Sequence, residues 1–268
     1  MWSTRRETAR RSPLRALACI ALGLALAVGP VRAEDGPVVA AAASLRYALD
    51  EIAAQFAKQT GQQVRVAYGA TEGLVHQIEN GAPFELLLAA DAASVKRLAS
   101  EGFTDGAPSI FARGRISVVA PQGSPVAVDG DLKGLADALA AGKVAHLSIA
   151  NPDVAPYGRA AREALQTAGL WERVEPRLVL GENVGQAAQF ATTGAAEAAI
   201  IAHSLAVSAE VAPKITAALI PESWHQPIDH GLALIKGAGE PARVFAAYVR
   251  GAEARAILER NGFFVPAP

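Results

Sequence analysis

The sequence predicts an α/β fold of two lobes, each a mostly parallel sheet flanked by helices. Three observations predict it. Short apolar runs alternate with helical patterns along the chain, which is the rhythm of βαβ units. That rhythm runs to about residue 118 and then restarts with new parts. The chain has 268 residues, 51% hydrophobic and only 19% charged, a composition that can bury a large core and is too apolar for disorder.

The elements follow in order. "PVVAAAA" reads as a buried strand, and "LRYALDEIAAQFAKQTG" as an amphipathic helix stopped by Gly61; glycine is the common helix terminator because it adopts the left-handed conformation without strain. "QQVRVAYG" is a strand, "EGLVHQIENG" a helix closed by Gly81, "FELLLAAD" a strand, and "AASVKRLASEG" a helix closed by Gly102. "RISVVAP" is a strand stopped by Pro121, which cannot donate to a ladder. The second series is "DLKGLADALAAG" (helix), "VAHLSIANP" (strand), "YGRAAREALQTAGLW" (helix), "RLVLGENV" (strand) and "GQAAQFATTG" (helix). Three strands come next, "EAAIIAHS", "KITAALIP" and "GLALIKG", and two helices split at Gly251 close the chain. Residues 34–118 and 222–268 are expected to form one lobe and residues 119–221 the other, since "ALIPES" leads back towards "GLALIKG".

Residues 1–33 stand apart from this fold. "MWSTRRETARRSPLR" is basic, "ALACIALGLALAVG" is apolar but short for a membrane span, and "VRA" fits a cleavage site before Glu34. A removable secretion signal and a periplasmic product are therefore expected. Arg5 and Arg6 are followed by "ETA" rather than apolar residues, which favours ordinary secretion over twin-arginine export. Cys19 lies inside the apolar run with Ala16 three residues before it, a poor lipidation context.

The whole chain carries 25 Lys and Arg against 26 Asp and Glu. The leader holds six Arg and one Glu, leaving 19 basic and 25 acidic residues, a net charge of −6. Nothing in that balance recommends a nucleic-acid partner, and none is expected. The only cysteine is in the leader, so the exported chain is expected to rely on its core rather than on disulfides.

Four strand-to-helix corners share a chemistry. "AAASLRYA", "AYGATEGL", "NPDVAPYGRAA" and "GENVGQAAQ" each place small residues or a hydroxyl where a helix begins. The first N–H groups of a helix are unpaired and carry a partial positive charge, so each corner can hold an anion. In open α/β sheets ligands collect beyond the carboxyl ends of the strands. The competing reading is structural: Ser44 and Thr71 could be helix N-caps, worth about 1 kcal/mol each, and the alanines could serve close packing alone.

Catalytic and metal readings find less support. His76, His146, His203, His225 and His230 lack metal-ligand spacing. Ser44 has no G-x-S-x-G context, and "GATEGL" lacks the Gly-Lys pair of a phosphate-binding loop. No catalytic residue, metal ligand or cofactor is expected. A secreted hydrolase using Ser44 or a histidine remains the least favoured alternative.

These stretches together resemble the periplasmic molybdate-binding proteins of ABC importers, which have the type II periplasmic-binding-protein fold. The resemblance spans residues 37–263. "AAASL" is similar to the family's first anion-binding turn, and "GATEGLVHQIENGAPFELLLAAD" to its second turn, helix and next strand. "ANPDVAPYGRAAREALQTAGLW" is the most specific block, and "GENVGQAAQFATTGAAEAAIIAHS" follows in the expected order. The resemblance implies a monomeric, non-enzymatic protein that carries molybdate or tungstate to an inner-membrane ABC permease. It implies hydroxyl and backbone donors from Ser44 and Thr71, and backbone donors from Tyr157 and Val184. Part of the family has a ligand-binding tyrosine where this chain has Ala202, followed by His203.

Two positions depart from the pattern. Glu72 stands where a small or uncharged residue is usual, and Glu85 replaces an aspartate. A carboxylate facing a dianion would repel it unless turned away or paired. If Glu72 faced the ligand, the same fold would suit a different small anion or an organic acid bearing an amine.

Overall fold

The computed structural model describes residues 36–266. The expected leader, its cleavage point and Cys19 lie outside the described residues. In chain order the first elements are β1 (Val38–Ala42), a 3-10 turn (Ala43–Leu45), α1 (Arg46–Thr60), β2 (Arg65–Gly69), α2 (Thr71–Glu79), β3 (Leu86–Ala89), α3 (Ala92–Ser100) and β4 (Ser109–Gly114). Next come β5 (Ile116–Pro121), α4 (Lys133–Ala140), β6 (Leu147–Ala150), α5 (Pro156–Thr167), α6 (Trp171–Val174), β7 (Leu178–Gly181) and α7 (Val184–Thr192). The last are β8 (Ala198–Ala202), α8 (His203–Ala206), β9 (Ile215–Leu219), β10 (Ile228–Leu234), α9 (Glu240–Val249) and α10 (Ala252–Arg260).

The strands form two five-stranded sheets, ordered β2-β1-β3-β10-β4 and β7-β6-β8-β5-β9. In each, four strands run one way and one is reversed: β10 is antiparallel to β3 and β4, and β5 to β8 and β9. The reversed strands are the two that carry the chain across. Each enters its sheet from the side where the other strands end, and must run against them. Helices pack over both sheets. The alanines of β1 are wholly buried or nearly so, which lets helices and the second sheet's loops approach closely.

Local chemistry sets the element ends. Gly61 takes φ 72° and its N–H bonds the Ala57 carbonyl, closing α1. Asp91 caps α3 by accepting the Ser94 N–H at 2.7 Å, and Asn183 caps α7 by accepting from Gly185 and Gln186. Pro156 opens α5, at a position where no N–H is needed.

Several details differ from the sequence expectation. The boundary placed between residues 118 and 119 runs through β5, which lies whole in the second sheet; the sheet changes at Arg115. The chain returns between β9 and β10. β4 has no counterpart among the expected strands: its "SIFARG" pairs with β10, about 120 residues away, and carries an arginine and a glycine that weaken its local signal. The helix expected from Tyr157 to Trp171 stops at Thr167, because Gly169 turns with φ 67° and α6 starts afresh. The strand expected to reach Ser204 ends at Ala202, where α8 begins.

Candidate functional site

The carboxyl ends of β1, β2, β6 and β7 deliver the four corners to the seam between the sheets. Ser44, Thr71, Tyr157 and Val184 line one cavity there, with Ala90 at the end of β3 as a further wall. All four are nearly inaccessible, Val184 being the most exposed at 3%. The cavity measures about 10 Å³, the scale of a single water site. No charged side chain lines it.

What the cavity offers is N–H groups. Those of Ser44, Thr71, Tyr157 and Val184 all lie in a first helical turn, where no intrahelical carbonyl is in reach. Among the described residues none of the four is bonded to another backbone carbonyl. Their neighbours differ: Glu72 N–H donates to the Val154 carbonyl at 3.3 Å, and Gly185 and Gln186 are taken by Asn183. Two of several larger crevices, of about 500 and 770 Å³, lie beside Arg46 and α7 and at the far end of the first sheet. Neither gathers unpaired first-turn N–H groups from both sheets.

The hydroxyls are not helix caps. Ala70 is the N-cap of α2 and makes no side-chain cap; Ser44 lies within the 3-10 turn. Thr71 Oγ1 instead accepts the Ala90 N–H at 3.0 Å, which leaves its own hydrogen to donate. Ser44 Oγ is 3.1 Å from Nε2 of the fully buried His230. The Tyr157 hydroxyl lies beside Ser44, which offsets part of the upward pKa shift that burial imposes on it. It makes no well-formed hydrogen bond. Its position requires Gly114, where a Cβ would sit 2.0 Å from the phenolic oxygen.

The Ser44–His230 contact resembles the start of a nucleophile–base pair. The rest of such a site is missing among the described residues. His230 Nδ1 meets a backbone carbonyl, that of Ile228, at 3.2 Å, and not a carboxylate. Burial lowers the His230 pKa to about 4, far below a useful base at neutral pH.

Three expected site residues lie elsewhere. Ala202 is wholly buried at the end of β8 and does not line the cavity. His203 is drawn to the crossing: its N–H donates to the Arg115 carbonyl at 2.8 Å, and its Nδ1 is 3.0 Å from Ser117 Oγ. Burial first, then the Arg115 charge, lower its pKa. Glu72 turns away from the cavity, accepting from Arg97 at 2.9 Å and from Ser94 Oγ at 3.2 Å. The observation that favoured an amine-bearing ligand is thereby removed. Glu85 has a structural task, accepting the Gly239 N–H at 2.8 Å.

Sequence reasoning missed the contacts that hold the two sides together. Arg159, one turn into α5, reaches Asp91 at 3.3 Å. Ser204 Oγ donates to the Ser44 carbonyl at 2.8 Å. The N-cap signal at Asp91 was visible in "DAAS"; its second oxygen's partner, 68 residues on, was not.

Comparison with known proteins adds independent findings. Residues 37–264 match the family model described as bacterial extracellular solute-binding protein. The chain is 34% identical over 248 residues to the molybdate-binding protein ModA of Rhodobacter capsulatus, covering 91% of this chain and 94% of that one. It is 35% identical over 247 residues to that of Azotobacter vinelandii, covering 91% and 95%. The solved structure of the Azotobacter vinelandii periplasmic molybdate-binding protein superposes with a TM-score of 0.78 at 30% identity, covering 86% of this chain and 100% of that one.

Proposed function

This chain belongs to the bacterial extracellular solute-binding protein family, and from that premise we propose that it captures molybdate, and tungstate, in the cavity between its sheets. It would do so in the periplasm after export and hand the ion to an ABC permease. The observation that carries this reading is the convergence of four unpaired first-turn N–H groups, two from each side, on one small cavity without charged walls.

The chemistry suits a tetrahedral dianion. Hydrogen bonds to a charged acceptor are worth about 1.5–3 kcal/mol each. Ser44, Thr71, Tyr157 and Val184 would each donate an N–H, and Thr71 also its hydroxyl. Helix ends supply positive potential without a lysine or arginine. Sulfate carries the same charge but is smaller, so it would sit too far from some donors. Tungstate is nearly the size of molybdate, so the same donors accept both.

Because Ser44, Thr71, Tyr157 and Val184 are nearly inaccessible, the ion would reach their N–H groups when the lobes part. We propose that residues 36–115 and 222–266 move as one lobe and 116–221 as the other. The hinge would be the two crossings, where Arg115 Nε and Glu222 Oε1 lie 4.0 Å apart. Closure on the ion would create the surface a permease reads.

Titration calorimetry on residues 34–268 tests the reading. About one molybdate or tungstate per chain with sub-micromolar affinity is expected. No heat with either metalate overturns it.

A further inference from the structure

Behind the cavity wall lies a buried ring that the binding of an oxyanion does not itself require. His230 sits in β10 at 0% exposure. Its Nδ1 is 3.2 Å from the Ile228 carbonyl, which can only accept, so Nδ1 carries the ring hydrogen. Nε2 is then an acceptor, and the Ser44 hydroxyl 3.1 Å away must be the donor. The ring is held in this orientation. Phe111, Tyr157 and Phe263 meet it edge to face, with centroids 6.1, 5.9 and 5.2 Å away. The nearest carboxylate, Asp229, is engaged by Arg113 at 2.6 Å.

On the oxyanion reading of the cavity, on which the inference rests, we propose that His230 is a specificity-determining positioning residue. By taking the hydrogen of the Ser44 hydroxyl, it makes Ser44 Oγ an acceptor at the wall of a site otherwise built of donors. Ser44 then offers a ligand its N–H and a lone pair, not two hydrogens. A fully deprotonated dianion loses one donor. An oxyanion that keeps an O–H at neutral pH, such as hydrogen phosphate, gains a partner that an all-donor site would deny it. The balance between these two classes is thus set by a side chain that does not line the cavity.

The neighbours are consistent with this arrangement. Burial keeps the ring neutral through the neutral range. The Tyr157 oxygen beside Ser44 is the competing acceptor for its hydrogen, but it makes no well-formed bond. Gly114 leaves the space, since a Cβ there would stand 2.9 Å from His230 Cε1 and 2.0 Å from the Tyr157 oxygen.

Two measurements test the proposal. Long-range nitrogen–proton correlation NMR on histidine-labelled wild type reads the tautomer directly, with no variant and no ligand. The expected signature is a protonated Nδ1 and a bare Nε2; a protonated Nε2 overturns the proposal. Calorimetry at pH 7.5 then compares wild type, His230→Phe, Ser44→Ala and the double variant. Molybdate is titrated directly, and phosphate by displacement of molybdate. His230→Phe keeps the edge-to-face packing and frees the Ser44 hydrogen. The molybdate-to-phosphate affinity ratio should rise at least tenfold, and this rise should vanish when Ser44 is alanine. A ratio unchanged within threefold, or an equal rise without Ser44, overturns the proposal while leaving metalate binding intact. No heat with molybdate in wild type overturns the oxyanion reading and the proposal together.

Discussion

The Thr71 hydroxyl accepts the Ala90 N–H at 3.0 Å, joining the start of α2 to the end of β3. Thr71 is therefore a bracket within the first lobe as well as a wall of the cavity. Thr71→Val removes the acceptor and leaves a buried N–H unpaired, which costs about 1–3 kcal/mol of stability. It also removes one charge-assisted donor, so molybdate affinity should fall roughly ten- to a hundredfold. Thr71→Ser should retain most of both. Chemical denaturation and calorimetry on the two variants check this; equal metalate affinity in Thr71→Val and wild type would return Thr71 to a purely structural role.

Glu72 should be almost irrelevant to the ligand. Its carboxylate pairs with Arg97 at 2.9 Å with both side chains partly exposed, and such pairs are worth about 0–1 kcal/mol. Glu72→Gly should change metalate affinity by less than about threefold, with a stability loss of about 1 kcal/mol from a glycine in the first turn. A tenfold gain in affinity would mean that the carboxylate faces the ion.

The Asp91–Arg159 pair bridges the two sides of the cavity at 3.3 Å. Opening the lobes would break it, so it should slow ligand release. Asp91→Asn keeps an oxygen to cap α3 and loses the charge. Dissociation of molybdate, followed by stopped flow, should become about two- to fivefold faster at low salt, matching a partly exposed pair of up to about 1 kcal/mol. The difference should shrink in high salt. An unchanged rate at low salt counts against a latch.

His230 should make stability depend on pH. Burial lowers its pKa from 6.5 to about 4 in the folded protein. Between those values the unfolded chain binds a proton that the folded chain refuses. Stability is therefore full above pH 6.5 and falls as pH drops towards 4, by on the order of 3 kcal/mol. His203, shifted the same way by burial and Arg115, adds to the fall. Urea unfolding between pH 7.5 and 4.5 should show a smaller loss in His230→Phe than in wild type; parallel curves would refute the assignment.

Gly114 ends β4 where the chain crosses between sheets. A methyl group there would collide with the Tyr157 oxygen at 2.0 Å and with His230 Cε1 at 2.9 Å. Gly114→Ala should cost about 1–3 kcal/mol, the usual range for overpacking. Adding Tyr157→Phe removes the nearest clashing atom and should restore part of the loss. Thermal melts of the single and double variants test this, and a double variant no more stable than Gly114→Ala would contradict it.

The corners of the site were legible in the sequence because they are local. A strand that ends in alanines, a serine or a glycine before a helical pattern is written in consecutive residues; four such stretches marked the corners, and the family resemblance implied Ser44, Thr71, Tyr157 and Val184 within them. Helix ends at Gly61 and Gly102 are of the same kind, since a positive φ is a property of one residue. Orientation and pairing are not local. Whether Glu72 faced the cavity depended on Arg97, 25 residues away. β4 became a strand through β10, Ala202 paired with Ile116, and His203 was drawn to the crossing by Arg115 and Ser117. The family resemblance implied that the Ser44 hydroxyl is a donor to the ligand. Its partner is His230, 186 residues distant, and only the tertiary structure decided which way its hydrogen goes, because a hydroxyl rotor takes its direction from whatever acceptor the fold brings within reach.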